Sequence, residues 1–351
     1  MKILPNNSSL IYSGRIDLSD PFAIVWTYPG TFVRIKFKGT QLSIHVRNKH
    51  NYWNNYLGVV EGDAQTKLLL PKEGEATIEI PLQTTQDNIH EVTIFKRQDA
   101  CHELTILGFE INCNTDDECE LLEASPLPPR RIEVYGDSVS AGEVSEAVDY
   151  VAKSDPEHNG EYSNSWYSYA WIAARKLDAQ LHDIAQGGVA LLDNTGWYHE
   201  PDYIGMEHVW NKMRYDSSYG QVTEWDFSKY TPDIVIVAIG QNDSHPDDYM
   251  KTDYECEKAK NWRTHYRQFL AKLRETYPDA WIICCTTLLQ HDISWDMSID
   301  QAVLDIADKK ISHCVFQRNG KATPGHLRIP EAEEMAEELC HYIHSLNIEG
   351  Y

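Results

Sequence analysis

Through its first third the chain alternates apolar and polar residues with a period of two. Phe32-Val33-Arg34-Ile35-Lys36-Phe37 and Leu42-Ser43-Ile44-His45-Val46 carry the pattern, with Gly39-Thr40 as a turn between them. Residues 56–60, 76–80, 91–95 and 104–109 continue the series. A pleated strand points successive side chains to opposite faces, so the pattern predicts strands with one buried and one wetted face. Such strands, separated by turn residues and interrupted by no helical stretch, predict a β-sandwich of the jelly-roll kind.

The pattern then breaks. Asn114 to Glu120 is acidic and polar, and Ser125-Pro126-Leu127-Pro128-Pro129 is proline-rich. Proline fixes the backbone and has no N–H for a ladder, so this stretch reads as a semi-rigid connector. The division is a β-sandwich over 1–124, a linker over 125–130, which Pro129-Arg130-Arg131 marks, and a second domain over 131–351.

Beyond the linker, strands and helices take turns. Ile132-Glu133-Val134-Tyr135 is a strand, and 165–177 a helix with Trp166, Tyr169, Ala170, Ala173 and Leu177 on one stripe. A second strand covers 181–185. Residues 233–239 are almost continuously apolar, as a strand covered on both faces must be. A long helix follows with Trp262, Tyr266, Phe269, Leu270 and Leu273, then strands at 281–285 and 313–316. The last helix opens at Pro330, a favoured first-turn residue, and turns Met335, Ala336, Leu339 and Ile343 inward. This is an α/β domain of about five parallel strands, with ligands expected at their carboxyl ends. The 24 residues from 199 to 222 are polar, aromatic and irregular, and loops of that length are often functional.

Charge narrows the partners. Against 31 basic residues stand 54 acidic ones, a formal net charge of −23. Such a surface repels phosphate backbones and anionic lipid, so no nucleic acid and no membrane partner is expected. Twenty Tyr and ten Trp supply faces on which sugars stack, although buried aromatic residues mostly serve the core. Eight cysteines include no Cys-x-x-Cys pair. Cys113 and Cys119 are read as free thiols rather than a disulfide or zinc pair. With no signal-peptide pattern at Met1-Lys2-Ile3-Leu4-Pro5, a cytoplasmic location is expected.

The chemistry lies just after strands. Ser138 ends Val134-Tyr135-Gly136-Asp137-Ser138, where a turn can expose a nucleophile. Gly187-Gly188 follows the second strand, and glycine lets a backbone N–H approach a developing oxyanion. Asn242, in Gly240-Gln241-Asn242-Asp243, can aim an amide donor at the same oxygen. His326, in Thr323-Pro324-Gly325-His326, follows the final strand and can act as base. Singly, each has a bland reading as a turn, cap or surface residue; their order along one sheet is the signal. His245-Pro246-Asp247-Asp248 has no convincing ligand spacing, and no metal or cofactor is expected. His341 and His344 read as surface or packing residues.

These four blocks, in this order, resemble those of the SGNH (GDSL-type) hydrolases, with their flavodoxin-like three-layer domain. Together with the β-rich front, the whole chain resembles carbohydrate esterase family 2, which joins a jelly roll to an SGNH domain. The resemblance implies Ser138 as nucleophile and His326 as general base. It makes the Ser138 N–H, the Gly188 N–H and the Asn242 side chain the oxyanion hole, with Gly188 rather than Gly187 matching the family glycine. It also implies a serine esterase removing acetyl groups from acetylated xylan- or mannan-derived oligosaccharides through an acyl-enzyme. A lipase- or thioesterase-like hydrolase of longer acyl esters and a non-catalytic carbohydrate-binding protein are the alternatives.

One position departs from the family. Thr323 stands three residues before His326, where an aspartate commonly orients the imidazole. Either a backbone carbonyl supports His326 or a distant acid does, with Asp243 and Asp292 as candidates; Asp137 is assigned to the turn. The acid stays unassigned.

Overall fold

Period-two alternation becomes pleated sheet. In the computed structural model, which describes residues 1–85, 87–113 and 119–351, Phe32–Lys38 buries Val33, Ile35 and Phe37 and turns Arg34 and Lys36 outward. One six-stranded antiparallel sheet orders Ile16–Asp17, Ile24–Trp26, His102–Asn112, Gln41–His50 and Glu73–Ile80, with Lys2–Ile3 on His102–Asn112. The other orders Glu120–Leu122, Phe32–Lys38, Ile89–Lys96, Tyr56–Glu61 and Ala64–Leu69, with Ile11–Ser13 on Phe32–Lys38. Trp26, Ile35, Ile44, Val59, Ile94 and Ile106 meet between them in one core. All six expected strands form. The additional ones are short or lie at edges, where few residues alternate.

Cys113 and Cys119, expected as free thiols, are instead joined by a disulfide with Cα atoms 5.7 Å apart. They flank the crossing from one sheet to the other, a proximity that spacing alone does not reveal. The acidic residues 114–118 between them lie outside the described residues. The other six cysteines are unpaired.

The second domain is a five-stranded parallel sheet in the order Ala179–Ala185, Arg130–Gly136, Ile234–Ala238, Trp281–Cys285 and Ile311–His313. Tyr169–Lys176 and Ile329–Ser345 cover one face, packing Ala170, Met335 and Leu339 on Ile132, Val134 and Ile236. Glu257–Thr276 and Ile293–Ile306 cover the other, with Trp262, Leu270, Trp295 and Ile299 against Val235 and Val237. The result is three layers.

Three boundaries move. The helix expected over 165–177 begins only at Tyr169, because the Ser168 hydroxyl caps it by accepting from the Trp171 N–H at 3.3 Å. Trp166 leaves the stripe and stacks on Trp171. The last strand ends at His313; Cys314 still donates to the Cys284 carbonyl, but Val315 is 59 % exposed. Arg130, placed in the linker from sequence, pairs as the first residue of Arg130–Gly136.

The two domains meet over buried polar groups. Arg15, from the sandwich, donates to Tyr135 Oη at 2.9 Å and pairs with Glu133 Oε1 at 3.3 Å, with neither charged side chain exposed. The loop 97–101, which crosses from one sheet of the sandwich to the other, is also buried: Arg97, Gln98, Asp99, Ala100 and Cys101 are all at most 4 % exposed. Arg97 holds Glu146 of the second domain with two hydrogen bonds, at 2.6 and 3.2 Å.

Candidate active site

Asp137 ends the first parallel strand and shapes the turn after it. Its Oδ1 accepts from the Val139 N–H at 3.0 Å, capping the single helical turn Ser138–Ala141. Its Oδ2 accepts from Gln241 Nε2 at 2.7 Å and Asn242 Nδ2 at 3.2 Å. Burial pushes this carboxyl up to about 6, against the hydrogen bonds from Val139 and Gln241. Asp137 thus links the serine turn to the turn after Ile234–Ala238, where Gly240, at φ 139°, allows the sharp exit.

The imidazole of His326 lies across from Ser138. Nε2 is 2.8 Å from Ser138 Oγ, although 188 positions separate the two residues. Asp155 supplies the missing acid: its Oδ2 is 2.6 Å from His326 Nδ1, and its Oδ1 accepts the His326 backbone N–H at 2.9 Å. A carboxylate can only accept, so Nδ1 carries the proton and a neutral ring presents Nε2 as acceptor to the hydroxyl. Gly325 makes the approach possible, since a Cβ there would meet Asp155 Oδ1 at 2.5 Å. Arg328 pairs with Asp155 at 2.9 Å and also donates to the His326 carbonyl.

Neither sequence candidate for the acid reaches His326. Asp243 is fully buried and accepts the Leu191 and Leu192 N–H groups at 2.8 and 3.2 Å, holding the loop after Gly188. Asp292 caps Ile293–Ile306 through the Ser294 N–H. Asp155 lies in an irregular segment that carries no motif, and one sequence offers no signal for it. Thr323 Oγ1 accepts the Gly325 N–H at 3.3 Å and its carbonyl accepts the Gln290 N–H at 2.8 Å, so it does not act on the imidazole.

Charge around the ring is unusual. Burial alone would lower the His326 pKa, but the Glu143 and Asp155 carboxylates outweigh it and push it up to about 9. Glu143 Oε2 lies 3.8 Å from Nε2, on the side away from Asp155. Burial pushes Glu143 up to about 7 against the attraction of His326. Asp155 moves down to about 2, because the hydrogen bond and charge of His326 exceed its burial.

The glycine pair is held from the other domain. Asp99 Oδ2 accepts the Gly187 N–H at 2.7 Å and Gln186 Nε2 at 2.9 Å. Gly188 has φ 74° and lines the cleft beside Asn242. A Cβ on it would meet Trp197 Cβ at 2.8 Å. Asn242 donates to the Val189 carbonyl at 3.0 Å, besides its longer bond to Asp137. Ser138, Gly188, Asn242 and His326 therefore share one cleft of about 760 Å³.

Both domains wall this cleft. Asn51, Tyr52, Trp53 and Asp99 come from the sandwich, and Trp197, Tyr198, His199 and Glu200 from the segment entering the expected long loop. Much of that loop is ordered, with a turn of helix at Met206–Val209 and a hairpin of Lys212–Arg214 with Thr223–Glu224. His245, weighed as a metal ligand, instead stacks its ring on Trp197 with centroids 3.3 Å apart. Asp247 pairs with Lys258, and Asp248 accepts from Trp295. His341 and His344 are exposed on the last helix.

Residues 12–117 match the family described as Carbohydrate esterase 2 N-terminal. The chain is 29 % identical over 345 residues to the cellulase/esterase CelE of Acetivibrio thermocellus, covering 95 % of this chain and 39 % of that protein. It thus spans well under half of that relative's length. It is 27 % identical over 281 residues to an acetylxylan esterase / glucomannan deacetylase of Cellvibrio japonicus, covering 77 % of this chain and 69 % of the relative. A family two carbohydrate esterase from Clostridium thermocellum, solved in complex with cellohexaose, superposes with a TM-score of 0.78 at 24 % identity, over 96 % of this chain and 98 % of that one.

Proposed function

We propose that this chain, which belongs to carbohydrate esterase family 2, removes acetyl groups from acetylated neutral oligosaccharides of the xylan or mannan type. The observation that carries the reading is the 2.8 Å contact of Ser138 Oγ with His326 Nε2, backed by Asp155. The relatives' names, acetylxylan esterase and glucomannan deacetylase among them, support the substrate class. So does the cleft, which five carboxylates and no lysine or arginine line, and which offers the 59 % exposed indole of Trp197 as a stacking face. An anionic sugar would meet these carboxylates and no lysine or arginine.

In this reading Ser138 Oγ attacks the acetyl carbonyl as its proton passes to His326 Nε2. Asp155 keeps the ring oriented and stabilises the imidazolium that forms. The tetrahedral oxyanion is received by the Ser138 and Gly188 N–H groups and by Asn242, which gives up its 3.2 Å bond to Asp137 for the substrate. Collapse breaks the ester bond, and His326 returns the proton to the departing sugar oxygen. A water deprotonated by Nε2 then attacks the acyl-enzyme, and acetate leaves with Ser138 restored. None of these steps draws on a metal or cofactor.

Release of 4-nitrophenol from acetyl and octanoyl esters, by native protein and Ser138→Ala, tests the reading. Serine-dependent turnover favouring acetyl is expected, followed by acetate release from acetylated xylo- or manno-oligosaccharides read by mass spectrometry. Preference for octanoyl would make the protein a lipase, and turnover that survives Ser138→Ala would remove the nucleophile. A cytoplasmic setting is a separate part of the proposal, supported by the six unpaired cysteines. The Cys113–Cys119 bond speaks against it, and thiol trapping in intact cells decides between them.

A further inference from the structure

The five carboxylates lining the cleft are not equivalent: Glu200 is exposed at its rim, and three of the others are already engaged. Asp99 accepts from Gly187, Gln186 and Cys101. Asp155 is occupied by His326 and Arg328. Asp216 takes the Ser218 N–H and the Tyr198 hydroxyl. Glu143 differs: its side chain is only 14 % exposed, yet no donor among the described residues reaches its carboxylate. The nearest cationic group is His326 Nε2, at 3.8 Å, beyond hydrogen-bonding distance.

The position of Glu143 is built rather than incidental. Its N–H donates to the Ser138 carbonyl at 2.9 Å. Gly142 before it has φ 75°, and a Cβ on Gly142 would meet the Asn164 carbonyl oxygen at 2.4 Å. Opposite, Gly187 leaves the space that the carboxylate fills, since a Cβ there would lie 2.8 Å from Glu143 Oε2. The carboxylate reaches the cleft, so a ligand hydroxyl that displaces its water can donate to it directly. The ligand group that comes nearest is set by Nε2, which delivers its proton to the leaving sugar oxygen. A carboxylate beside Nε2 therefore faces the ring position next to the ester.

We propose that Glu143 is a specificity-determining residue that accepts a hydrogen bond from a free hydroxyl vicinal to the acetylated one. This rests on the esterase reading above and adds an order of events to it. A sugar acetylated at every ring hydroxyl has no donor for Glu143 and turns over slowly. A mono-acetylated sugar has the donor and turns over fast.

The test compares kcat/KM for methyl β-xylosides carrying one acetyl group with the fully acetylated methyl β-xyloside, which has no free hydroxyl, with 4-nitrophenyl acetate as a check that each variant is folded and active. The readout is the mono-to-triacetate ratio within each protein, so any effect of Glu143 on the basicity of His326 cancels. Native protein should favour the mono-acetylated substrate by roughly tenfold to a hundredfold, the range of a hydrogen bond to a charged group. In Glu143→Ala the ratio should fall toward one, mainly through KM, and Glu143→Gln, which keeps an acceptor, should hold part of it. A native ratio near one overturns the assignment, and so does a large native ratio that Glu143→Ala leaves unchanged; in both cases the esterase reading stands. Turnover of 4-nitrophenyl acetate with none of either xyloside would instead remove the sugar esterase reading and this inference with it.

Discussion

Asp99, on a loop of the β-sandwich, accepts the Gly187 N–H at 2.7 Å and so holds the turn that presents Gly188 to the cleft. The loop is itself anchored from within, because fully buried Lys96 donates to the Gln98 and Asp99 carbonyls. Burial pulls that lysine down to about 8. Asp99 is a positioning residue: it acts on the reaction through the peptide it steadies. Asp99→Ala should lower kcat for 4-nitrophenyl acetate roughly tenfold to a hundredfold, as misplacement of a donor does. KM should stay nearly constant, and Asp99→Asn should recover part of the loss. A rise in KM at constant kcat would show that Asp99 serves binding instead.

Asp155 and Asp292 separate the two routes to a catalytic acid. Asp155→Asn should lower kcat by about 10³–10⁴, because the ring loses its carboxylate and its fixed tautomer. Asp292→Ala should leave kcat alone and cost about 0.5–2 kcal/mol of stability, the value of a helix cap. Steady-state kinetics and urea denaturation of both variants check this pair. Full activity of Asp155→Asn would return the site to a Ser–His dyad.

The acid limb of the pH profile should lie high. A histidine can act as base only when neutral, and Glu143 and Asp155 push the His326 pKa up to about 9 in the free protein, with Asp137 adding to the pull. kcat/KM should therefore rise with pH through a limb above the ordinary histidine value of about 6.5. Glu143→Gln removes a negative neighbour, destabilises the imidazolium and should move the limb toward lower pH. A limb that stays in place would mean that the charge of Glu143 is not felt at Nε2.

Arg15 and Glu133 should matter for stability rather than rate. Tyr135 and Tyr277 also donate to Glu133 Oε1, and the Trp210 carbonyl accepts from the guanidinium. Removing one partner strands the other in a dry interface, so Arg15→Ala should cost about 3–5 kcal/mol in urea denaturation. A cost below about 1 kcal/mol would be that of an exposed ion pair.

Much of the architecture was legible because it repeats. Val33, Ile35 and Phe37 announce a half-buried strand, and 233–239 a strand covered twice, by pattern alone. Ser138 and His326 were legible because each follows a strand in a recognisable block. Asp155 was not: its partner is 171 positions away, and a shared carboxylate leaves no period behind. Nor was the buried loop 97–101, since Arg97-Gln98-Asp99 reads as a solvated turn until a second domain closes over it. Sequence pattern records what a segment does for itself, and these residues act for a distant one.

The buried loop 97–101 limits how this protein can be re-engineered. Many enzymes tolerate exchange of an appended sugar-binding module, because module and catalyst touch only through a tether. Here the front module provides part of the wall around Ser138 and the hand that steadies Gly187. Transplanting the rear half onto another scaffold would therefore bring along an unfinished catalyst.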